Sequence, residues 1–310
     1  MQHLAILGAS SQIARDLICS LAQEGRSQLL LYGRDTAAIM AWQQAHGLNY
    51  PVYHYADYGQ QAHDAVLNFV GVGDPQRAAQ LGGAIFSLTQ QFDDLVLQQL
   101  AQHPQRRYIF LSSGAAYGAR FEQPAGPDTL ASVPINALQP QDYYAVAKLH
   151  AECKHRALAP LAITDLRVFN YFSRSQDLAA RFFITDILRA IRAGSVLDTS
   201  AASMVRDYLH PADLHQLVRC VLDGPPLNQA LDCYSAAPIA KQPLLDAMQQ
   251  HFGLRYQVSP APAGLVNATG SKPNYYSTQR LAAELGYQPR YSSLDGIVQE
   301  SAIILARDAT

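Results

Sequence analysis

The sequence is short of the features that mark several large classes of protein. No apolar run reaches the length of a membrane span, so a transmembrane helix is not expected. Charged residues make up only 15% of the chain and sum to a formal charge of -2, which gives neither nucleic acid nor an anionic membrane an electrostatic reason to be the main partner. The four cysteines, Cys19, Cys153, Cys220 and Cys233, are far apart, and no grouping of Cys and His residues suggests a metal site. Reduced structural thiols are therefore expected, and neither a disulfide framework nor a metal site is. Met1 to Leu7 enter a strand pattern at once, without the basic start and cleavage site of a signal peptide, so a cytoplasmic protein is expected. Internal repeats and low-complexity segments are also missing.

What is present is 310 residues with 49% hydrophobic content, enough for one large domain or two with an ample core. Residues 3–7 form a short apolar run that breaks at Gly8-Ala9-Ser10-Ser11-Gln12-Ile13-Ala14, after which Leu17, Ile18 and Leu21 recur at helical spacing. That pattern reads as strand, tight turn and helix. In a dinucleotide fingerprint with glycine at its first, fourth and seventh positions, these would be Gly8, Ser11 and Ala14. Ser11 and Ala14 are small enough to let backbone N–H groups and the helix N-terminus approach a pyrophosphate, which makes Gly8, Ser10, Ser11, Gln12 and Ile13 candidate cofactor residues. An ordinary strand-to-helix turn is the alternative.

Further strands are expected at residues 29–32, 52–55, 65–70, 108–111 and 163–169, with a helix over 84–102. Their alternation with helices predicts an α/β fold, a Rossmann-type doubly wound parallel sheet with ligands at the carboxyl ends of its strands. Arg34 and Asp35 follow the second strand. Arg34 comes first and would meet a 2'-phosphate, whereas Asp35 could cap the helix starting at Thr36, so NADP is expected, with NAD as the alternative. Asp57 after the third strand is placed to contact adenine, and the turn Val70-Gly71-Val72-Gly73 to pass close to the cofactor. Residues 119–142, rich in Pro, Gly and Gln, read as a loop over the site. Helices are expected at 178–193, 211–222, 244–252 and 294–306, with short strands near Val196, Leu231 and Tyr256. Residues 1–170 are thus read as the dinucleotide-binding domain and 171–310 as a smaller α/β substrate domain, with segments around 205–235 packing back on the first.

Tyr144 and Lys148 stand four residues apart, on one face of a helix. A cation beside a phenol favours phenolate and lowers its pKa from about 10, so Tyr144 could exchange a proton with a sugar hydroxyl or carbonyl near neutral pH. Pairs at this spacing also decorate solvated helix faces.

Taken together, Gly8 to Ala14, Phe110-Leu111-Ser112-Ser113-Gly114-Ala115-Ala116-Tyr117-Gly118, Tyr144 to Lys148, Leu166-Arg167-Val168-Phe169-Asn170 and Val205-Arg206-Asp207-Tyr208-Leu209-His210-Pro211 resemble the extended short-chain dehydrogenase/reductase family, in particular its nucleotide-sugar epimerases, dehydratases and reductases. The resemblance covers nearly the whole chain. It implies Tyr144 as acid/base, Lys148 as the residue that lowers its pKa and holds the nicotinamide ribose, and Ser113 as the hydroxyl that hydrogen-bonds the reacting oxygen. It further implies that Asn170 contacts the sugar nucleotide and that Arg206 pairs with its diphosphate, a role suited to a planar, permanently charged fork. Gly114 and Ala115 stand where a 4,6-dehydratase of the family carries Asp-Glu. Tyr171-Phe172-Ser173 replaces the usual Tyr-Gly-Pro, and a second diphosphate-binding Arg has no clear position.

The expected activity is hydride transfer at sugar C4 of a nucleoside-diphosphate sugar, as a 4-epimerase or a 4-keto-sugar reductase, with a homodimer left open. A reductase of a non-nucleotide carbonyl and a non-catalytic NADP-binding sensor are the alternatives.

Overall fold

The computed structural model describes residues 1–72, 75–118, 120–260 and 272–306. Gly73, counted above in the turn after the fourth strand, and residue 119, the first of the long loop, lie outside them.

Strands β1 (Gln2–Leu7), β2 (Ser27–Gly33), β3 (Val52–His54), β4 (Ala65–Asn68), β5 (Arg107–Ser113) and β6 (Ile163–Val168) share one sheet with Gln229–Asp232. Every pairing is parallel, in the order β3-β2-β1-β4-β5-β6 and then 229–232. The order reverses between β1 and β4, where a doubly wound sheet opens a crevice at its carboxyl edge. On β1, Leu4 and Ile6 enter one core while Ala5 and Leu7 enter the other. Burial on both faces explains why these strands read as continuous apolar runs. Helices α1 (Gln12–Glu24) and α2 (Thr36–Ala45), with Pro211–Asp223, cover the first face. After a short α3 (Pro75–Leu81), α4 (Ala84–Gln102) and α5 (Tyr143–Ala157) cover the second. A third cluster, including Phe172, Ile187, Leu188, Leu244, Met248 and Ile297, forms the core of the C-terminal part.

Several expectations are adjusted by the structure. The strand expected near Leu231 is the seventh of the main sheet, added beside β6. The third strand stops at His54, because Tyr55–Asp57 turns into a single 3-10 coil capped by the His54 ring. The helix expected from residue 178 begins at Phe183, where the Thr185 hydroxyl accepts from the Phe182 N–H and fixes the start. All four cysteines are free. No helix among the described residues is long and apolar enough to cross a membrane.

Helix α5 is anchored by charge. His155, fully buried, lies with Nδ1 2.6 Å from Asp165 Oδ1 on β6 and Nε2 2.8 Å from Asp93 Oδ1 on α4. With an acceptor at each ring nitrogen, both must carry protons, so the ring is an imidazolium. Burial alone would lower its pKa, but the hydrogen bonds and charges of Asp165 and Asp93 outweigh that and raise it to about 9. Because the folded value lies above the ordinary 6.5, this contribution to stability is complete below about pH 6.5 and is lost as pH rises through 9. The loss is expected to be on the order of 3 kcal/mol. An NMR titration of the imidazole nitrogens should find His155 still charged well above pH 7, with unfolding free energy declining over the same window. A His155 that titrates near 6.5 would contradict this assignment.

Candidate active site

Strand β5 ends at Ser112 and Ser113, and the chain turns at once through Gly114–Tyr117. The Ser113 hydroxyl caps that turn by accepting from the Ala115 N–H at 3.2 Å. Glycine is required next, since a Cβ on Gly114 would fall 2.4 Å from the Phe169 ring. Position 114 therefore has no room for an acidic side chain. Helix α5 starts at Tyr143 and carries Tyr144 and Lys148 to the same edge, so the structure brings Ser113, Tyr144 and Lys148 together.

The electrostatics of the pair differ from the simple expectation. Burial raises the Tyr144 pKa, and the opposing influence is a hydrogen bond with Ser113. Lys148 is not what lowers it here. Its ammonium donates to the Leu111 carbonyl at 2.7 Å and lies 4.3 Å from the centre of the Phe110 ring, against 5.9 Å for Tyr144. Lys148 is itself lowered to about 8 by burial, against the pull of Glu152, Asp165 and Asp93.

A second phenol shares the site. Tyr275 Oη lies 3.1 Å from Ser113 Oγ. Burial pushes its pKa upward, with the neighbouring Tyr144 adding to the rise. Its ring packs on Phe121 and Phe169, and the cations of Lys272 and Arg206 lie 4.7 and 5.9 Å from its centre. Arg206 Nη1 donates to the carbonyls of Val205 and Lys272 at 2.8 and 2.7 Å. Among the described residues no carboxylate forms an ion pair with Arg206. Lys272 is lowered to about 8, by burial first and by Arg206 second. Asp142 pulls the other way on Lys272, and two partly desolvated cations this close to one ring favour an anion beside them. Asn170 is half-buried and donates to the carbonyl of Asp207, the residue after Arg206, at 3.1 Å. The rest of the Arg-Asp-Tyr-Leu-His segment is structural: Asp207 accepts from the Ser235 N–H, and His210 caps the following helix.

Sequence reasoning missed Tyr275 and Lys272. The mixed cationic and aromatic run Lys272-Pro273-Asn274-Tyr275-Tyr276 was the available signal, but nothing in its spacing ties it to Ser113.

At the crevice, Gly8 has φ +77° and a Cβ there would sit 2.8 Å from the Phe69 carbonyl carbon, so only glycine lets the turn pass under the end of β4. Ser10 is exposed, Ser11 caps α1 by accepting from the Ala14 N–H, and Ile13 packs on the core. Gln12 reaches out of the turn to the Ser173 hydroxyl at 3.1 Å, linking it to the substrate side. The Val70 N–H bonds the Asn68 side chain, and a Cβ on Gly71 would lie 3.6 Å from Lys148 Nζ. Gly71 is thus the point where the crevice meets Lys148. Arg34 is exposed at the end of β2, its charge felt by Tyr55, while Asp35 is engaged as the cap of α2, accepting from the Ala38 N–H at 2.9 Å. Asp57 is half-buried after β3 and is held by Gln60. A glycine-lined turn at a helix N-terminus, beside Gly71 and Lys148, fits a dinucleotide.

A model of the NAD dependent epimerase/dehydratase family matches residues 4–237. The chain belongs to that family. It is an enzyme of the extended short-chain dehydrogenase/reductase type with a nicotinamide cofactor, as the motifs implied. Among solved structures, UDP-glucose 4-epimerase from Stenotrophomonas maltophila, with bound NAD and formylated UDP-arabinopyranose, is similar over 100% of this chain and 99% of its own at 17% identity and a TM-score of 0.80. UDP-glucose 4-epimerase from Bifidobacterium longum, in complex with NAD+ and UDP, matches over 99% of both chains at 17% identity and 0.78. The dTDP-glucose 4,6-dehydratase from Bacillus anthracis, in complex with NAD, matches over 100% of this chain and 98% of its own at 13% and 0.78. At these identities the likeness is one of fold. No curated protein sequence gives a match.

Two phenols flank Ser113, and the family chemistry needs one proton carrier. The resemblance implies Tyr144, one helical turn from Lys148, for that role. Tyr144→Phe should lower turnover by a factor of about 10² or more with cofactor affinity nearly unchanged, whereas Tyr275→Phe should cost less than about 10-fold. The reverse order in steady-state kinetics would transfer the role to Tyr275.

Proposed function

We propose that this protein transfers hydride at C4 of a nucleoside-diphosphate sugar, as a 4-epimerase or a 4-keto-sugar reductase. The observation that carries the reading is the Arg206 and Lys272 cation pair, one aromatic ring away from Ser113 and Tyr144. A neutral carbonyl substrate would leave these two partly desolvated cations with only backbone carbonyls and the charge of Asp142 to balance them, whereas a diphosphate matches both. The solved relatives named above include complexes with UDP and a UDP-sugar, which is consistent with that choice.

A nicotinamide cofactor, when bound, supplies the position that accepts or returns hydride. Gly8, Ser10, Ser11, Gln12 and Ile13 would hold its pyrophosphate, with Asp57, Val70 and Gly71 lining the crevice and Lys148 beside the ribose. In the oxidising direction the C4 hydroxyl proton passes to Tyr144 in its phenolate form, against the burial that favours the phenol, while Ser113 hydrogen-bonds the same oxygen. In the reducing direction Tyr144 returns that proton. Asn170 and Arg206 orient the sugar nucleotide from the opposite wall. The closed space around Gly114 supports restricting the chemistry to one carbon, because a dehydratase needs further acid and base groups there. Residues beyond 171 serve as the substrate-binding part in this reading.

Arg206→Ala should weaken nucleotide-sugar binding by about 2–5 kcal/mol, as expected when one partner of a desolvated charge pair is removed. Calorimetry with UDP-, dTDP-, GDP- and CDP-sugars checks it, and undiminished binding would refute the diphosphate assignment. For the cofactor, exposed Arg34 and the engagement of Asp35 as a helix cap favour NADP. NADPH should bind more tightly than NADH, and Arg34→Ala should cost NADPH about 1.5–3 kcal/mol while leaving NADH nearly untouched. Stronger NADH binding, or NAD retained through purification, would favour NAD and with it the epimerase.

A further inference from the structure

One buried carboxylate beside the catalytic pair has no part in the reaction as described. Glu152 follows Lys148 by one turn of α5, and each is 4% exposed. Their partners on β5 are adjacent residues: Lys148 Nζ donates to the Leu111 carbonyl at 2.7 Å, and the Ser112 hydroxyl donates to Glu152 Oε1 at 2.5 Å. From β6, Arg167 stands in register with Ser112 and grips Glu152 Oε2 through Nε at 3.0 Å and Nη2 at 2.5 Å. The carboxylate is thereby fixed on the side of the helix that faces the sheet, as Lys148 is.

The charges around Lys148 come from three elements. Glu152 and the Tyr144 phenol lie on its own helix, Asp165 on β6 and Asp93 on α4, while β5 presents the Phe110 ring and the Leu111 carbonyl. Asp165 and Asp93 are both committed to the His155 imidazolium between them, and Arg156 and Lys154 add further cations to them. Glu152 exerts the strongest pull on the lysine. Its own partner, Arg167, is shared with Asp232, 3.6 Å away.

We propose that Glu152 is a positioning residue for the catalytic lysine: held by Ser112 and Arg167, its carboxylate keeps the buried Lys148 charged and seated on the Leu111 carbonyl. This rests on the reading that Lys148 serves catalysis. An ammonium removed from water is pushed toward its neutral form, and a neutral amine would grip neither the carbonyl nor a ribose hydroxyl as strongly. The carboxylate opposes that tendency without touching substrate or cofactor.

The chain has four lysines, Lys148, Lys154, Lys241 and Lys272, so isotope labelling of lysine side chains gives an NMR spectrum in which Lys148 can be assigned by its loss in Lys148→Met. In the parent, Lys148 should titrate near 8 and be charged at pH 7. In Glu152→Gln its midpoint should fall to about 7 or lower, and the basic limb of kcat/KM should move down with it. Glu152→Asp, which keeps the charge, should restore most of both. A Lys148 midpoint unmoved by Glu152→Gln, or moved as far by Glu152→Asp, would reduce Glu152 to a structural partner of Arg167. Should Glu152→Gln not fold, a parent Lys148 already neutral at pH 7 would still overturn the proposal. The titration needs no substrate, so it stands or falls separately from the nucleotide-sugar assignment.

Discussion

The face that α5 turns to the sheet is made of alanine and charge. Its buried residues are Ala145, Ala147, Lys148, Ala151, Glu152 and His155, where a packed helix ordinarily presents Leu, Ile or Val. Small side chains bring the helix close to β5 and β6, and the three ionisable ones must then each find a partner, because a lone buried charge is prohibitively costly. Glu152 finds Ser112 and Arg167, His155 finds Asp93 and Asp165, and Lys148 finds Leu111. Apolar packing tolerates small rotations of a helix, whereas paired hydrogen bonds at both ends of the face do not. The angular position of Tyr144 follows from this constraint.

The same network reaches the cofactor crevice. Asn68 holds the Val70 N–H with its carbonyl and donates to Tyr108, whose hydroxyl donates to Asp93, a partner of His155. On the other side, Asp232 accepts from Tyr117 and Ser277, two residues beyond Tyr275, and lies near Arg167. The crevice turn, the helix carrying Tyr144 and the segment carrying the second phenol are therefore tied to the sheet by two buried polar networks that both anchor on α5. Such networks specify a unique arrangement when their members are satisfied, which suits a reaction that depends on placing two partners within hydride reach.

Much of this was legible in the chain. The break of an apolar strand at Gly8, the spacing of Tyr144 and Lys148, and the Ser112-Ser113 strand end each report a local backbone requirement, and the structure places all three at one edge. What escaped depends on distance and dielectric. A strand near Leu231 and the packing of 205–235 against the first domain were expected, but not that 229–232 extends the main sheet beside β6, which no local pattern reveals. Tyr275 and Lys272 reach Ser113 from the far end of the chain. The electrostatic influence expected of Lys148 on Tyr144 failed because spacing fixes a helix face and not the direction of an ammonium, which here turns to a carbonyl and an aromatic ring. Asp35 shows the opposite case: its position before Thr36 suggested a helix cap, and it is one.

Hydride transfer at C4 of a nucleotide sugar is the claim on which the account turns, and it is tested most directly by following deuterium placed at that carbon. With the nucleotide sugar that most raises the melting temperature of the protein, NMR or mass spectrometry should find the label moved from C4 to the nicotinamide, or returned to C4 with inverted configuration. Turnover in which C4 keeps its deuterium and configuration, or in which the label passes from C4 to solvent without reaching the nicotinamide, would contradict it.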